Sequence, residues 1–183
     1  MRFRFYLAAA AATLAVAAPA AAQQATVTAT GNPVAKGVVI LPLTLSKTAD
    51  LDFGTVVASP TLAGTVAINA DDGSRAVTGG VVAVPSFPGG RALFQGAGTP
   101  SQNVLLTLQA PAVLSNGANS ITVNSMTFDT AAASAVVGGN QTTTRTINGT
   151  GAFQVGVGGN FAIAANQTNG VYSAPFIVTA EYQ

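Results

Sequence analysis

Phe176-Ile177-Val178-Thr179-Ala180-Glu181-Tyr182-Gln183 closes the chain, and it alternates strictly. Phe176, Val178, Ala180 and Tyr182 share one face, while Ile177, Thr179, Glu181 and Gln183 share the other. A period of two in β-branched and aromatic residues predicts a half-buried strand. Gly170-Val171-Tyr172-Ser173-Ala174-Pro175 leads into it from a turn at 166–170. A core strand at this end means that the fold closes only when the whole chain is present.

Working outward, no segment after Gln23 shows helical periodicity. Short alternating runs are broken about every eight to twelve residues by Gly, Asn, Asp or Pro, the spacing of an antiparallel sandwich or barrel. In 23–30, Ala25, Val27 and Ala29 face away from Thr26, Thr28 and Thr30, and Gly31-Asn32-Pro33 ends the run. The apolar run 37–45 reads as a further strand, with Pro42 demoting its middle to an edge or a bulge. Strands follow over 51–57, 65–69, 75–78, 81–84, 91–95 and 104–108. In 120–128, Ile121, Val123, Ser125 and Thr127 oppose Thr122, Asn124, Met126 and Phe128. The small residues of 131–140 predict a loop with room for one helical turn. Gly156-Val157-Gly158-Gly159 predicts a hairpin turn between strands at 152–157 and 160–163.

Arg2 and Arg4 precede an apolar run that Pro19 breaks before Ala20-Ala21-Ala22, the pattern of a secretory signal peptide cleaved ahead of Gln23. The expected organisation is a signal at 1–22, an N-terminal extension at 23–36 and one β-sandwich domain at 37–183. Removing 22 of 183 residues leaves 161, enough for one real core. Of seven basic residues, Arg2 and Arg4 leave with the signal, so five remain against six acids. So balanced a charge argues against nucleic acid as a partner. No later stretch is long and apolar enough to insert in a membrane. Only 7% of residues are charged and 49% are hydrophobic, too apolar for disorder. Cysteine is absent, so an exported chain must rely on core packing and strand pairing.

Catalysis is not expected. With no His and no Cys, the common general base and the thiol nucleophile are missing. Asp50 and Asp52 read as acids flanking a strand start. Asp71-Asp72-Gly73 reads as a turn, because the distal Glu of a calcium loop is lacking. No metal and no cofactor are expected. The sequons at Asn140, Asn148 and Asn166 read as turn residues. Phe53, Phe87, Phe94, Phe128, Phe153, Phe161, Tyr172, Phe176 and Tyr182, spread about one per strand, read as core.

Leu43-Thr44-Leu45-Ser46-Lys47-Thr48-Ala49-Asp50-Leu51-Asp52-Phe53-Gly54, Gly64-Thr65-Val66, Asp72-Gly73-Ser74-Arg75 and Thr78-Gly79-Gly80-Val81 form one set with Ala164-Ala165-Asn166-Gln167, Gly170-Val171-Tyr172 and the closing strand. Together they resemble a family of small secreted bacterial proteins catalogued as domain of unknown function 4402. Leu51-Asp52-Phe53-Gly54 and the closing strand are also similar to those of archaic chaperone–usher pilins and spore-coat-type secreted subunits. Tyr182, penultimate, and Gly170, fourteenth from the end, stand where pilins carry such residues. The resemblance implies an all-β, immunoglobulin-like antiparallel β-sandwich missing one strand. It implies a groove beside Gly170, Tyr172, Phe176, Val178, Ala180 and Tyr182. The implied partners are neighbouring copies, a periplasmic chaperone and an outer-membrane usher, and the implied destination is the periplasm, then a fimbrium at the cell surface.

An open sheet edge must be covered, and an extended segment of a neighbour covers it by strand addition. The expected donor is the N-terminal extension, through Ala25, Val27 and Ala29. These side chains bury little at about 25 cal/mol per Å², so Val34, Val38 and Ile40 are donor positions as well. A second reading is a self-contained monomeric cell-surface or matrix domain, with carbohydrate binding as a variant of it.

Overall fold

The computed structural model describes residues 31, 33–130, 134–137 and 140–183. The expected signal at 1–22 and the expected donor positions Ala25, Val27 and Ala29 lie outside these residues. Val38–Gln183 is one compact unit, and the described residues contain strands and no helix. The strands are β1 (Thr44–Ala49), β2 (Val56–Val57), β3 (Gly64–Ile68), β4 (Arg75–Gly79), β5 (Val82–Ala83), β6 (Ala92–Ala97) and β7 (Asn103–Gln109). They continue as β8 (Val113–Ser115), β9 (Ser120–Phe128), β10 (Ser134–Val137), β11 (Asn140–Thr146), β12 (Ala152–Ile163) and β13 (Ile177–Tyr182).

All pairings between these strands are antiparallel, in two main sheets that face each other. The first is built on β12. Val157 pairs with both Ala92 and Phe128, and Gly159 with both Ile68 and Met126. Hence β6 and β3 follow one another along one side of β12, and β9 occupies the other. The second sheet has the order β10-β11-β7-β13, and β2 with β5 forms a small ribbon. Val104, Leu106, Leu108 and Ile147 from the second sheet pack against Phe94, Phe128, Val155 and Val157 from the first. This is a sandwich core, filled from both inner faces.

The structure corrects several expectations. Gly156-Val157-Gly158-Gly159 is the middle of one strand of 12 residues, with no turn. Its glycines serve close backbone approach. A Cβ on Gly156 would lie 2.5 Å from the Ala70 carbonyl oxygen, and one on Gly159 would lie 2.7 Å from that of Ser125. Nor does β9 alternate throughout. Its pairing with β12 slips after Ser125, where Phe161 meets Val123 and Asn124 is skipped. This bulge turns Met126 and Phe128 inward together with Ile121, although the unbroken alternation places them on opposite faces. Within 131–140 the expected loop carries β10, paired to β11. The run 37–45 becomes a strand only at Thr44, because Pro42 has no N–H for a ladder. Phe87 is not core but exposed.

Each arginine of the folded unit ties backbone together. Arg145 and Asp129 form an ion pair between the two sheets, with side chains 7% and 14% exposed. Asp129 Oδ2 also accepts the Gly156 N–H at 2.7 Å, and Arg145 Nη1 donates to Thr143 Oγ1. Burial pushes the Arg145 guanidinium below its ordinary pKa. Arg91 donates to the Ala70 and Asp71 carbonyls. The turn at 69–74 is a set of Asx bonds, Asp71 N–H to Asn69 Oδ1 and Ser74 N–H to Asp72 Oδ1, with Gly73 at φ +77°. The Thr130 backbone N–H, then its hydroxyl, holds the Asp71 carboxyl below the usual carboxylate range.

Candidate functional site

The C-terminal strand is an edge. β13 pairs with β7 and, among the described residues, with no strand on its other side. The Gln183 N–H bonds to the Asn103 carbonyl, so odd-numbered residues of β13 direct their backbone groups at β7. Antiparallel alternation then directs the N–H and C=O of Val178, Ala180 and Tyr182 at the free side. The same three residues point their side chains into the sandwich, yet they are only half-buried. Their partners across the ladder, Val104, Leu106 and Leu108, are completely enclosed. The cover over β13 is therefore incomplete.

Next to this edge lies an open cleft of about 790 Å³. Its floor consists of core side chains: Ile121, Val123, Met126, Phe161 and Ile163. One wall is the segment after β1, and here Leu51-Asp52-Phe53-Gly54 has a local explanation. Leu51 and Phe53 point inward, Phe53 meeting Phe161 edge-on with ring centroids 4.6 Å apart. Asp52 pairs with Gly90 through both backbone groups and accepts the Gly54 N–H on its carboxylate at 2.7 Å. Gly54 takes φ +71°, where a Cβ would strike the backbone of Phe87 and Pro88.

Arg75 locks this wall. Its Nη1 donates to the carbonyls of Phe53, Thr55 and Phe87, and its Nη2 to that of Val84. Replacing Arg75 by methionine keeps the stem and removes these bonds. At about 1.5–3 kcal/mol for hydrogen bonds to a charged group, the wall opens before the rest of the sheet. Hydrogen exchange is expected to speed up at Asp52 and Thr55 and to stay unchanged in β7. Equal protection at all three sites would show that Arg75 does not hold the wall.

The second wall is the approach to β13. Tyr172 donates its hydroxyl to the Thr168 carbonyl at 2.6 Å and accepts from Gln167 Nε2. Ser173 exchanges both backbone bonds with Ser115. Phe176 reaches in from the end of this wall to meet Phe94 edge-on. Gly170, Tyr172 and Phe176 thus line the cleft, while Val178, Ala180 and Tyr182 continue it as the open edge. At the far end, the Tyr182 hydroxyl donates to the Leu41 carbonyl at 2.8 Å and accepts the Thr99 N–H, and Leu41 N–H donates to Thr99 Oγ1.

Of the expected donor positions that are described, Val34, Val38 and Ile40 are exposed. Val38 and Ile40 do not line the groove of their own chain. Pattern reading did not find the 51–58 wall with Arg75 as its clamp. A lone Arg directly after a turn carries no periodic signal, and its four acceptors are carbonyls. Among the described residues, no group of His, Cys, Asp or Glu is placed to hold a metal ion. No helix among them is long and apolar enough to cross a membrane.

A family model described as "Domain of unknown function (DUF4402)" matches residues 43–182. Neither the curated proteins nor the solved structures contain a match.

Proposed function

The chain belongs to the DUF4402 family, and we propose that it is an exported, non-catalytic structural or adhesive subunit, pilin-like and fimbrial, joined to its neighbours by strand addition. One observation carries the reading: the inward face of β13 is half-covered and runs into an apolar cleft, beside a ladder edge with unused backbone groups. An incoming strand would satisfy both at once, its main chain pairing with Val178, Ala180 and Tyr182 and its alternate side chains entering the cleft. The donor is residues 25–40 of another copy. Val38 and Val39, 88% and 98% exposed, are apolar side chains of this segment that the chain's own fold leaves uncovered. A periplasmic chaperone would shield the same edge before assembly, and an outer-membrane usher would pass the subunit outward.

A second reading has one observation in its favour. Leu41 is fastened at the Tyr182 end of the chain's own groove, so the preceding segment could turn back and complete its own sheet. The protein would then be a monomeric surface or matrix domain. In that arrangement the segment runs parallel to β13, since it must return alongside β1, which β13 opposes in direction. Parallel pairing is slightly weaker per residue.

The test compares residues 23–183 with 36–183. Strand donation predicts concentration-dependent oligomers for the longer form only. It also predicts that a peptide of residues 25–40 stabilises the shorter form, by about 2.7 kcal/mol at 100 times its Kd. Two strictly monomeric forms of equal thermal stability, neither responding to the peptide, would end the proposal.

A further inference from the structure

Two sets of exposed apolar side chains on the folded unit are not explained by the strand pairing alone. One is the run Val38-Val39-Ile40-Leu41. In an extended chain Val38 and Ile40 face one way, Val39 and Leu41 the other. A strand that covers a sandwich edge needs one apolar face; apolar residues on both faces are the mark of a strand covered on both. The second is at the mouth of the cleft. Phe87, on the wall that Arg75 holds, is 61% exposed, and Val171, on the opposite wall, is 85% exposed. Phe87 does not belong to a frayed loop: its carbonyl accepts from both Arg75 Nη1 and the Thr55 N–H. Val57, also exposed, stands beside it on the same wall.

We propose that Val57, Phe87 and Val171 form a docking surface for the second face of the donor segment, Val39 with Leu41, on another copy of this chain. The inference rests on the strand-addition reading and adds where the donor's root comes to lie. Size matching supplies the direction. The donor's bulky residues, 38–41, belong in the wide cleft between Phe53 and Phe176. About six residues earlier, at the narrow end beside Leu43, Leu45 and Tyr182, the donor offers Pro33, Val34 and Ala35, which are smaller. Residues 38–41 therefore arrive at the cleft mouth, with Val39 turned towards its lips. In the donor copy the same residues are rooted at Tyr182 and Thr99, the opposite end of β13 from the cleft, roughly 20 Å away along six strand residues. The two surfaces are different and lie at opposite ends of one strand, so a one-way contact is head-to-tail and leaves a free donor and a free cleft for further copies, extending the chain unless a ring or a reciprocal pair closes it.

The test uses the full exported chain carrying Phe87→Asp with Val171→Asp, both exposed and therefore neutral to folding. Size by light scattering across a dilution series is the readout, with Leu62→Asp, exposed but off the cleft, as the control. At dilutions where both are monomeric, the paired variant is expected to keep the circular dichroism and melting temperature of the unaltered chain, while its self-association weakens at least about tenfold, the effect of losing one interface anchor. Leu62→Asp is expected to associate like the unaltered chain. Val39→Asp should also fail to polymerise alone. Mixed one to one with the cleft variant, it should form complexes that stop at two copies, because each supplies the surface that the other lacks. Unaltered association of the cleft variant, or a mixture that forms no such pairs, would overturn the inference and leave strand addition standing. An unaltered chain that is monomeric at every concentration and ignores the 25–40 peptide would overturn both.

Discussion

Replacing Asp129 by alanine is expected to lower the unfolding free energy by about 3–5 kcal/mol, the cost of leaving one member of a buried ion pair unmatched. Three consequences coincide. Arg145, 7% exposed on the inner face of β11, keeps its charge without its carboxylate. The Gly156 N–H in the middle of β12 loses its acceptor. The two sheets lose the polar tie between them. At about 2–4 °C per kcal/mol for a domain of this size, the melting temperature falls by roughly 10 °C. Exchanging the pair together, Asp129→Leu with Arg145→Met, is expected to restore part of the loss, since apolar residues of similar volume replace buried ion pairs at little cost. Denaturant unfolding with unchanged slope measures both. A single variant within about 1 kcal/mol of the parent would mean that solvent reaches the pair.

Gly158→Ala is expected to cost about 3 kcal/mol, the upper end for overpacking, since the new methyl would meet main chain with nowhere to go. Its Cβ would stand 2.5 Å from the Ala70 nitrogen and nearer still to the Ile68 carbonyl oxygen. Both belong to the strand and turn that β12 must pass as it leaves β6 for β3. Gly149→Ala is the matched control: no heavy atom lies within 4 Å of its added Cβ, and a change within about 0.5 kcal/mol is expected. If thermal unfolding places the two variants together, the glycines of β12 are not there for close approach.

These two sites also show where pattern reading fails. Gly156-Val157-Gly158-Gly159 looks like a turn because glycine is most often used for its backbone freedom. Here it is used for its missing side chain, and that depends on Ala70 and Ser125, distant in sequence. Likewise, unbroken alternation separates Met126 and Phe128 from Ile121, whereas one inserted residue, Asn124, reverses the count in β9 and brings all three to one face, and no local signal marks the insertion. A spacing of about one aromatic per strand assigns Phe87 to the core, while its position at the cleft mouth follows from the carbonyls that Arg75 gathers.

The alternation of Phe176, Val178, Ala180 and Tyr182 assigns the last strand and its inward face, and the same short period along the rest of the chain assigns an all-β fold, because which way a side chain points on an extended backbone is a local property. The neighbours of that strand are not. That β13 ends up at a rim, with Val104, Leu106 and Leu108 sealed on one side and a cleft open on the other, depended on how many strands the second sheet recruits. Strand order is settled by pairing between segments far apart in the chain, and a local period carries no information about it.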